Sequence, residues 1–424
     1  MTPAKGYAEM KDSGVEWIGE IPAYWQVKGL FQLVSQVKNK NKDLLETNLL
    51  SLSYGKIKRK NIDDNEGLLP TSFDSYNIIE ENDIVLRLTD LQNDHTSLRV
   101  GRSTERGIIT SAYITIRPTN SKMSEYLYYL LHSFDIKKGF YGMGAGVRQG
   151  LHYDEVKMLR IPLPTLSEQS AIAAYLDTQC AKIDEIITEA KASIEDYKRW
   201  KASIIYEAVT KGLNPNAEMK DSGIEWIGKM PAHWSITRMK SILENVTVKN
   251  HPDAEVLSLY RDLGVLPKNS RDDNHNVTSE DTASYKYVEV GDLVINKMKA
   301  WQGSLAVSDY EGIVSPAYYV CKFRSEEIDK RYIHFLLRCS AYAQEFERLS
   351  TGMRVGQWDL GINDFMRVPT LLPPISEQSA IASYLDTQCA KISELVAEKQ
   401  SLIDDLESYK KSLIYEAVTG KWRV

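Results

Sequence analysis

A chain of 424 residues, 43% hydrophobic and 26% charged, has the composition of an ordinary globular protein and the length for two or three domains. No apolar run approaches the roughly 18 residues that a membrane span needs, and MTPAKGYAEM has no apolar signal region, so a cytoplasmic protein with no membrane partner is expected. The net charge of −6 does not exclude nucleic acid, because segments 161–227 and 371–424 carry −4 and −2 of it and leave the blocks between them near neutral.

The first stretch with a distinct pattern is Tyr7–Trp25, YAEMKDSGVEWIGEIPAYW. It returns as Asn216–Trp234 with 14 of 19 positions identical, at an offset of 209. Trp17, Trp25, Trp226 and Trp234 beside Pro22 and Pro231 predict a non-helical clip packed on a neighbouring surface. Residues 26–160 follow as a mixed α and β block. Strands are predicted at Leu49–Tyr54, Ile84–Leu88, Ile108–Arg117 and Val156–Ile161, and a helix at Ser124–Ser133. A glycine-rich loop, GFYGMGAGVRQG, covers 139–150.

Pro162 and Pro164 close the block, and Ser167 is the expected cap of a long helix with Glu168 in its first turn. Its apolar positions step by four and three through Leu176, Cys180, Ile183, Ile187, Ala190 and Ile194, the seam of a coiled coil. Gly212 and Pro215 end it. After the second clip, a second variable block keeps landmarks of the first. Asn82-Asp83-Ile84-Val85 aligns with Gly291-Asp292-Leu293-Val294, whereas Ala112-Tyr113 aligns with Ala317-Tyr318 at an offset of 205. The final helix, from Ser376 to about Thr419, copies the first: Ser167–Ile183 and Ser376–Ile392 agree at 16 of 17 positions. Its seam is Leu385, Cys389, Ile392, Val396, Ile403, Leu406 and Leu413, with Lys410 repeating Lys201. Two such rods in one chain predict an antiparallel pair.

The fold class is therefore α+β, with an internal repeat of 209 residues. Residues 1–160 hold the first clip and variable domain, 161–212 the central helix, 213–370 the second clip and variable domain, and 371–424 the last helix.

No phosphate-binding loop, HExxH, GxSxG or paired Cys/His set occurs, and the Asn/Asp-Pro-Pro-aromatic tetrapeptide of adenine methyltransferases is missing. The chain is expected to be non-catalytic and to bind neither metal nor cofactor. Candidate DNA-binding groups recur at matching places in the two blocks. Lys56, Lys58, Arg59, Lys60 and Asn61 follow a strand of the first, and Arg148 and Gln149 lie in its glycine loop. In the second, Asn296, Lys297, Lys299 and Gln302 follow a strand beside Trp301, and Arg354 and Gln357 lie in TGMRVGQW. Arg, Asn and Gln can pair with base edges, and Lys mainly neutralises phosphate. A coiled-coil scaffold whose variable blocks bind proteins is the alternative reading.

The signature (L/P)P-x-x-SEQ-x-x-I-A-x-(Y/F)-L-D at Leu163–Asp177 and Leu372–Asp386, together with the DSG-(V/I)-EWIG clip, resembles the DNA specificity subunit of Type I restriction-modification systems. The resemblance covers essentially the whole chain. It implies that each variable block is a target-recognition domain for half of a split double-stranded DNA sequence. It also implies that the helices hold the two blocks at a fixed separation of about one helical turn, ~34–36 Å, or a multiple of it. Two methyltransferase subunits docked on the helices, and restriction subunits beyond them, would use S-adenosylmethionine, ATP and magnesium.

Overall fold

The computed structural model describes residues 6–61, 72–143, 150–261, 263–270, 282–354 and 357–424. The chain divides into two compact units, Met1–Ala190 with Ser401–Val424, and Lys191–Gln400.

In the first unit the clip is an antiparallel hairpin of Met10–Asp12 and Glu20–Pro22. Its turn follows from the DSG motif: Asp12 Oδ1 accepts from Gly14 N at 2.9 Å, and Gly14 and Gly19 take φ of 63° and 68°, which glycine adopts without strain. Gln26–Gly29 then pairs with Arg160–Leu163, so the two ends of the variable block meet. Between them lies an antiparallel four-stranded sheet in the order Val34–Gln36, Ile114–Pro118, Ile84–Leu86, Val100–Arg102. Asn77–Ile79 pairs with Gly107–Ile109, and Leu50–Ser53 with Lys56–Arg59. The expected single strand Ile108–Arg117 is in fact two, because Tyr113 N turns back to Thr110 O at 3.2 Å and sends the halves to different neighbours. Val156–Ile161 likewise straddles a helical turn, Tyr153–Val156, and the start of the 160–163 strand.

The second unit repeats this plan. Met219–Asp221 pairs with Lys229–Pro231, and Ser235–Arg238 with Pro369–Leu372. Its sheet runs Leu243–Val246, Tyr318–Phe323, Leu293–Asn296, Leu305–Val307. Helices Lys330–Arg338 and Ser340–Leu349 stand where the first unit has Ser124–Ile136 and the short turn Gly139–Gly142. The shared Asp of the landmark explains its recurrence: Asp83 accepts from Glu80 N and Asp292 from Glu289 N, each shaping the turn into a central strand.

The long helices span Leu166–Lys211 and Ile375–Val418. The first is capped by Thr165, not Ser167: Thr165 Oγ1 accepts from Glu168 N at 3.3 Å while Glu168 Oε2 accepts from Thr165 N at 3.2 Å. This reciprocal pairing places the cap one residue before the helix, and Ser167 stays exposed. The Gln of the SEQ motif is buried in both copies, with Gln169 Nε2 donating to Pro164 O and Gln378 Nε2 to Pro373 O. The seam residues Leu176, Ile183, Ile187, Ile194, Leu385, Ile392 and Ile403 are buried, and Val396 is half-buried. In the first unit the helices run antiparallel, Tyr175 meeting Trp422 with ring centroids 5.1 Å apart and Asp184 meeting Lys410. The second unit has the same arrangement, with Lys201 Nζ 3.1 Å from Ser393 Oγ.

Each clip closes on a helix end. Trp25 and Trp234 are buried, Trp25 against the left-handed Gly420 that follows the second helix and Trp234 against the left-handed Gly212 that follows the first. Glu168 accepts from Tyr24 Oη, and Glu377 is 2.7 Å from His233 Nε2, so the same clip position ties down the start of each helix with a different side chain.

Candidate nucleic-acid interface

Lys56, Lys58, Arg59 and Lys60 lie on and just beyond the outer strand of a hairpin whose tight turn is Tyr54-Gly55, at φ of 48° and 76°. Strand alternation turns Ile57 inward against Leu52 and leaves Lys56 and Lys58 exposed on the other face. Lys60 and Asn61 are also exposed. Arg59 is exposed too, but its guanidinium is held by Glu105, which raises the arginine's pKa and lowers that of the carboxyl. The hairpin therefore presents a row of lysines suited to phosphate, with its arginine already committed. Arg148 and Gln149 lie outside the described residues.

In the second unit the expected group separates. Asn296 is 8% exposed and its side-chain oxygen accepts from Met298 N at 3.2 Å, so it shapes the turn. Lys297 lies 3.0 Å from Asp359, a hydrogen bond that raises its pKa. Lys299 is exposed and Gln302 half-buried. Trp301 donates to Met298 O and packs on Trp358 with centroids 5.2 Å apart. The backbones of Arg354 and Gln357 pair in register across the hairpin Thr351–Arg354 and Gln357–Asp359, and the placement of their side chains lies outside what is described.

One element escapes the sequence reading. Arg87 N donates to Arg99 O and Asn296 N to Ser304 O, so residues 88–98 and 297–303 are corresponding loops. Each is tied to the segment that follows the glycine-rich region: Leu151 N donates to Leu88 O and Leu360 N to Lys297 O, both at 2.9 Å. A signal for this loop was present, since the repeat offset falls from 209 at Ile84 and Leu293 to 205 at Arg102 and Val307.

Elsewhere in the first unit a cavity of about 360 Å³ is lined by Lys56, Arg102, Tyr128, His132, Asp184 and Lys410. Burial, and secondarily Lys410, pushes the His132 imidazole down to about 4. The four cysteines are buried, and burial pushes Cys180 and Cys339 up to about 11 and Cys321 up to about 12, so these thiols are poor nucleophiles. Among the described residues no cluster of His, Cys, Asp and Glu could hold a metal ion, and no helix is long and apolar enough to cross a membrane.

Comparison with known proteins agrees with this geometry. Residues 23–196 match the family model of the Type I restriction modification DNA specificity domain. The MjaVIII specificity subunit of a Type I restriction enzyme from Methanocaldococcus jannaschii is 24% identical, over 95% of this chain and 94% of that protein. The EcoDI specificity subunit from Escherichia coli is 20% identical over 71% of each. Among solved structures, a chain from work on complex assembly and conformational transition of the type I R-M system has a TM-score of 0.67 at 16% identity, covering 94% of this chain and 98% of that one. The HsdS subunit of Thermoanaerobacter tengcongensis has a TM-score of 0.51 at 15% identity, covering 95% and 98%. At these identities the two structures speak for the fold.

Proposed function

Because the chain belongs to the Type I restriction-modification DNA specificity family, whose domain its residues 23–196 match, we propose that this sequence-specific DNA-recognition subunit reads a two-part duplex target and directs modification and restriction subunits to it. One observation carries the reading. The clips, sheets and helix starts repeat at matching positions, whereas the loops on the two domains differ in length, charge and chemistry. A frame that stays symmetric while its surfaces diverge suits two readers of two different half-sites.

Lys56, Lys58 and Lys60 neutralise phosphate in this reading, and Lys299 does so in the second domain. Arg354, Gln357 and Gln302 are the base-reading candidates of the second domain. The near-identical helix starts offer two equivalent surfaces and so two modification subunits. S-adenosylmethionine, ATP and magnesium belong to those partner subunits, and this chain carries out no chemistry itself.

Replacing Lys56, Lys58 and Lys60 together by Ala lowers the slope of log affinity against log salt by up to about 3, nearly one for each phosphate left without its lysine. Exchanging residues 26–160 for another block changes one half-site and leaves the other. A swapped protein that keeps its full target, or a parent chain without salt-linked duplex binding, overturns the reading; the latter result is what a protein-binding scaffold gives.

A further inference from the structure

Specificity in a repeated protein must come from what is not repeated. The 88–98 loop of the first unit and the 297–303 loop of the second leave the same strands and are tied down by the same bond to Leu151 or Leu360, yet the first is four residues longer. The shorter loop turns at Gly303, with φ 79°, and carries lysines. The longer one is built around a buried cation.

Arg99 is 0% exposed. A guanidinium in such a place is costly unless its N–H groups all find acceptors. Here Nε donates to Tyr141 Oη at 3.0 Å, Nη1 to Arg87 O at 3.1 Å and Thr89 O at 2.8 Å, and Nη2 to Asp90 O at 3.4 Å and to Asp94 O. The Arg99 backbone N–H is taken by Asp135 Oδ2 at 2.6 Å. One side chain thus gathers four carbonyls in and beside a single loop, and it does so through the main chain. Two neighbours from the adjoining segment complete the brace. Tyr141 donates to Asp94 O at 2.9 Å and stacks on the His95 ring at 5.1 Å, and Lys138 Nζ donates to His95 O.

The groups left facing outward include Gln92, Asn93 and His95. Asn93 Nδ2 is engaged by Asp90 Oδ1 at 2.7 Å, whereas neither the Gln92 amide nor a His95 ring nitrogen is hydrogen-bonded among the described residues. A primary amide can pair bidentately with adenine, and an imidazole offers one donor and one acceptor. The lysine hairpin cannot supply such discrimination, because contacts to phosphate are blind to sequence.

We propose that the 88–98 loop is the element with which the first domain distinguishes its half-site, Gln92 and His95 touching base edges and Arg99 acting as the positioning residue behind them. This rests on the DNA-reading function above. The loop's conformation is fixed by the carbonyls that Arg99 gathers and by the Asp94 carboxylate, which accepts from Thr96 N at 3.2 Å and Ser97 N at 2.9 Å, so the exposed Gln92 and His95 side chains can meet bases while other groups hold its shape.

The test is selection from a randomised duplex library by the full-length protein, purified with the subunits that accompany it. Wild type enriches two half-sites. Gln92→Ala and His95→Ala, both surface changes, are expected to relax one or two positions of one half-site by about ten-fold or more in preference and to leave the other half-site as it was. Arg99→Lys broadens that same half-site while the second keeps its preference, a selectivity that general destabilisation does not produce. If both surface variants enrich the wild-type half-sites unchanged, the loop assignment is wrong although DNA reading stands. If wild type enriches no sequence, the proposed function itself fails, and the loop assignment with it.

Discussion

Lys410 Nζ donates to Asp184 Oδ1 at 2.6 Å between the two long helices of the first unit. The repeat equivalent in the second unit is Lys201 to Ser393 Oγ at 3.1 Å, so the lysine is kept and its acceptor is not. The lysine stands at an apolar seam position with its side chain 25% exposed, whereas Asp184 is 42% exposed. Removing one partner is therefore not equivalent to removing the other. Asp184→Leu strands a mostly buried ammonium and is expected to lower unfolding stability by about 1–3 kcal/mol. Lys410→Leu extends the seam, leaves a carboxylate that water can reach, and is expected to be neutral or stabilising. Denaturant midpoints of the two variants check this, and equal losses would refute it.

Tyr126 and Tyr332 are wholly buried at matching places, where variable domain, closing strand and helix end meet. Tyr126 Oη lies 2.9 Å from Pro162 O and 3.0 Å from Val418 O; Tyr332 Oη lies 3.2 Å from Leu371 O and 3.3 Å from Val209 O. Replacing either by Phe removes the one O–H donor that the two carbonyls share and is expected to cost about 1–3 kcal/mol. The two residues share no partner, so the double variant should lose the sum to within roughly 0.5 kcal/mol. Urea unfolding of the two single variants and the double variant measures both statements.

The parts of this fold legible in the sequence were those governed by local pattern or literal repetition. The seam could be read because Leu176, Ile183 and Ile187 recur at coiled-coil spacing, and the clips because Trp25 and Trp234 repeat with their prolines. The break inside 108–117 could not be read, since apolar alternation continues through a turn that only the pairing partners of each half reveal. Basic clusters were visible as residue types, but whether a charge is available depends on distant residues: Glu105 takes Arg59 and Asp359 takes Lys297. Asn296 looked like a polar surface group and is buried in its own turn. The one readable sign of the 88–98 loop was the four-residue drop in repeat offset, and it marked where the two domains part.

Acid should destabilise the protein below about pH 6.5. Burial pushes the His132 pKa down to about 4 and that of His334 down to about 3, with Lys410 and Arg338 adding to it. A histidine with a depressed folded pKa binds fewer protons folded than unfolded, so its stabilisation is complete above ~6.5 and is lost as pH falls towards the folded value, roughly 3 kcal/mol or more for each. Asp135 opposes this. Burial raises its pKa to about 6, so its ionisation penalises the fold above that pH and is relieved as pH falls towards the unfolded value of about 4. Two histidines against one aspartate leave a net loss. His132→Phe should flatten the decline between about pH 6.5 and 4, and Asp135→Asn should raise stability at about pH 7 while steepening the decline. Urea unfolding at about pH 7.5, 6 and 5 reads both, and curves parallel to wild type would contradict the assignment.

The clip near the N-terminus is built onto the end of the last helix. Lys421 Nζ donates to Ile18 O at 2.8 Å and Glu20 O at 2.7 Å, and Tyr415 Oη donates to Trp17 O at 3.1 Å. The second clip is continuous with the first helix and meets it in the same way through Gly212 and Trp234. Covalent continuity is thus present at one clip and replaced by hydrogen bonds and packing at the other. A permutant opened at Asn214, with Val424 joined to Met1 through a short flexible linker, should exchange the two situations and keep both interfaces. Lengthening the linker from about ten to about twenty residues changes the loop-closure cost by only about 0.6 kcal/mol, little against the burial of Trp25 and Trp234. The permutant is expected to unfold within a few degrees of the parent and to retain its duplex binding. A permutant that does not fold with any linker in that range would show that the helix-to-clip peptide at 212–216 is needed for more than connection.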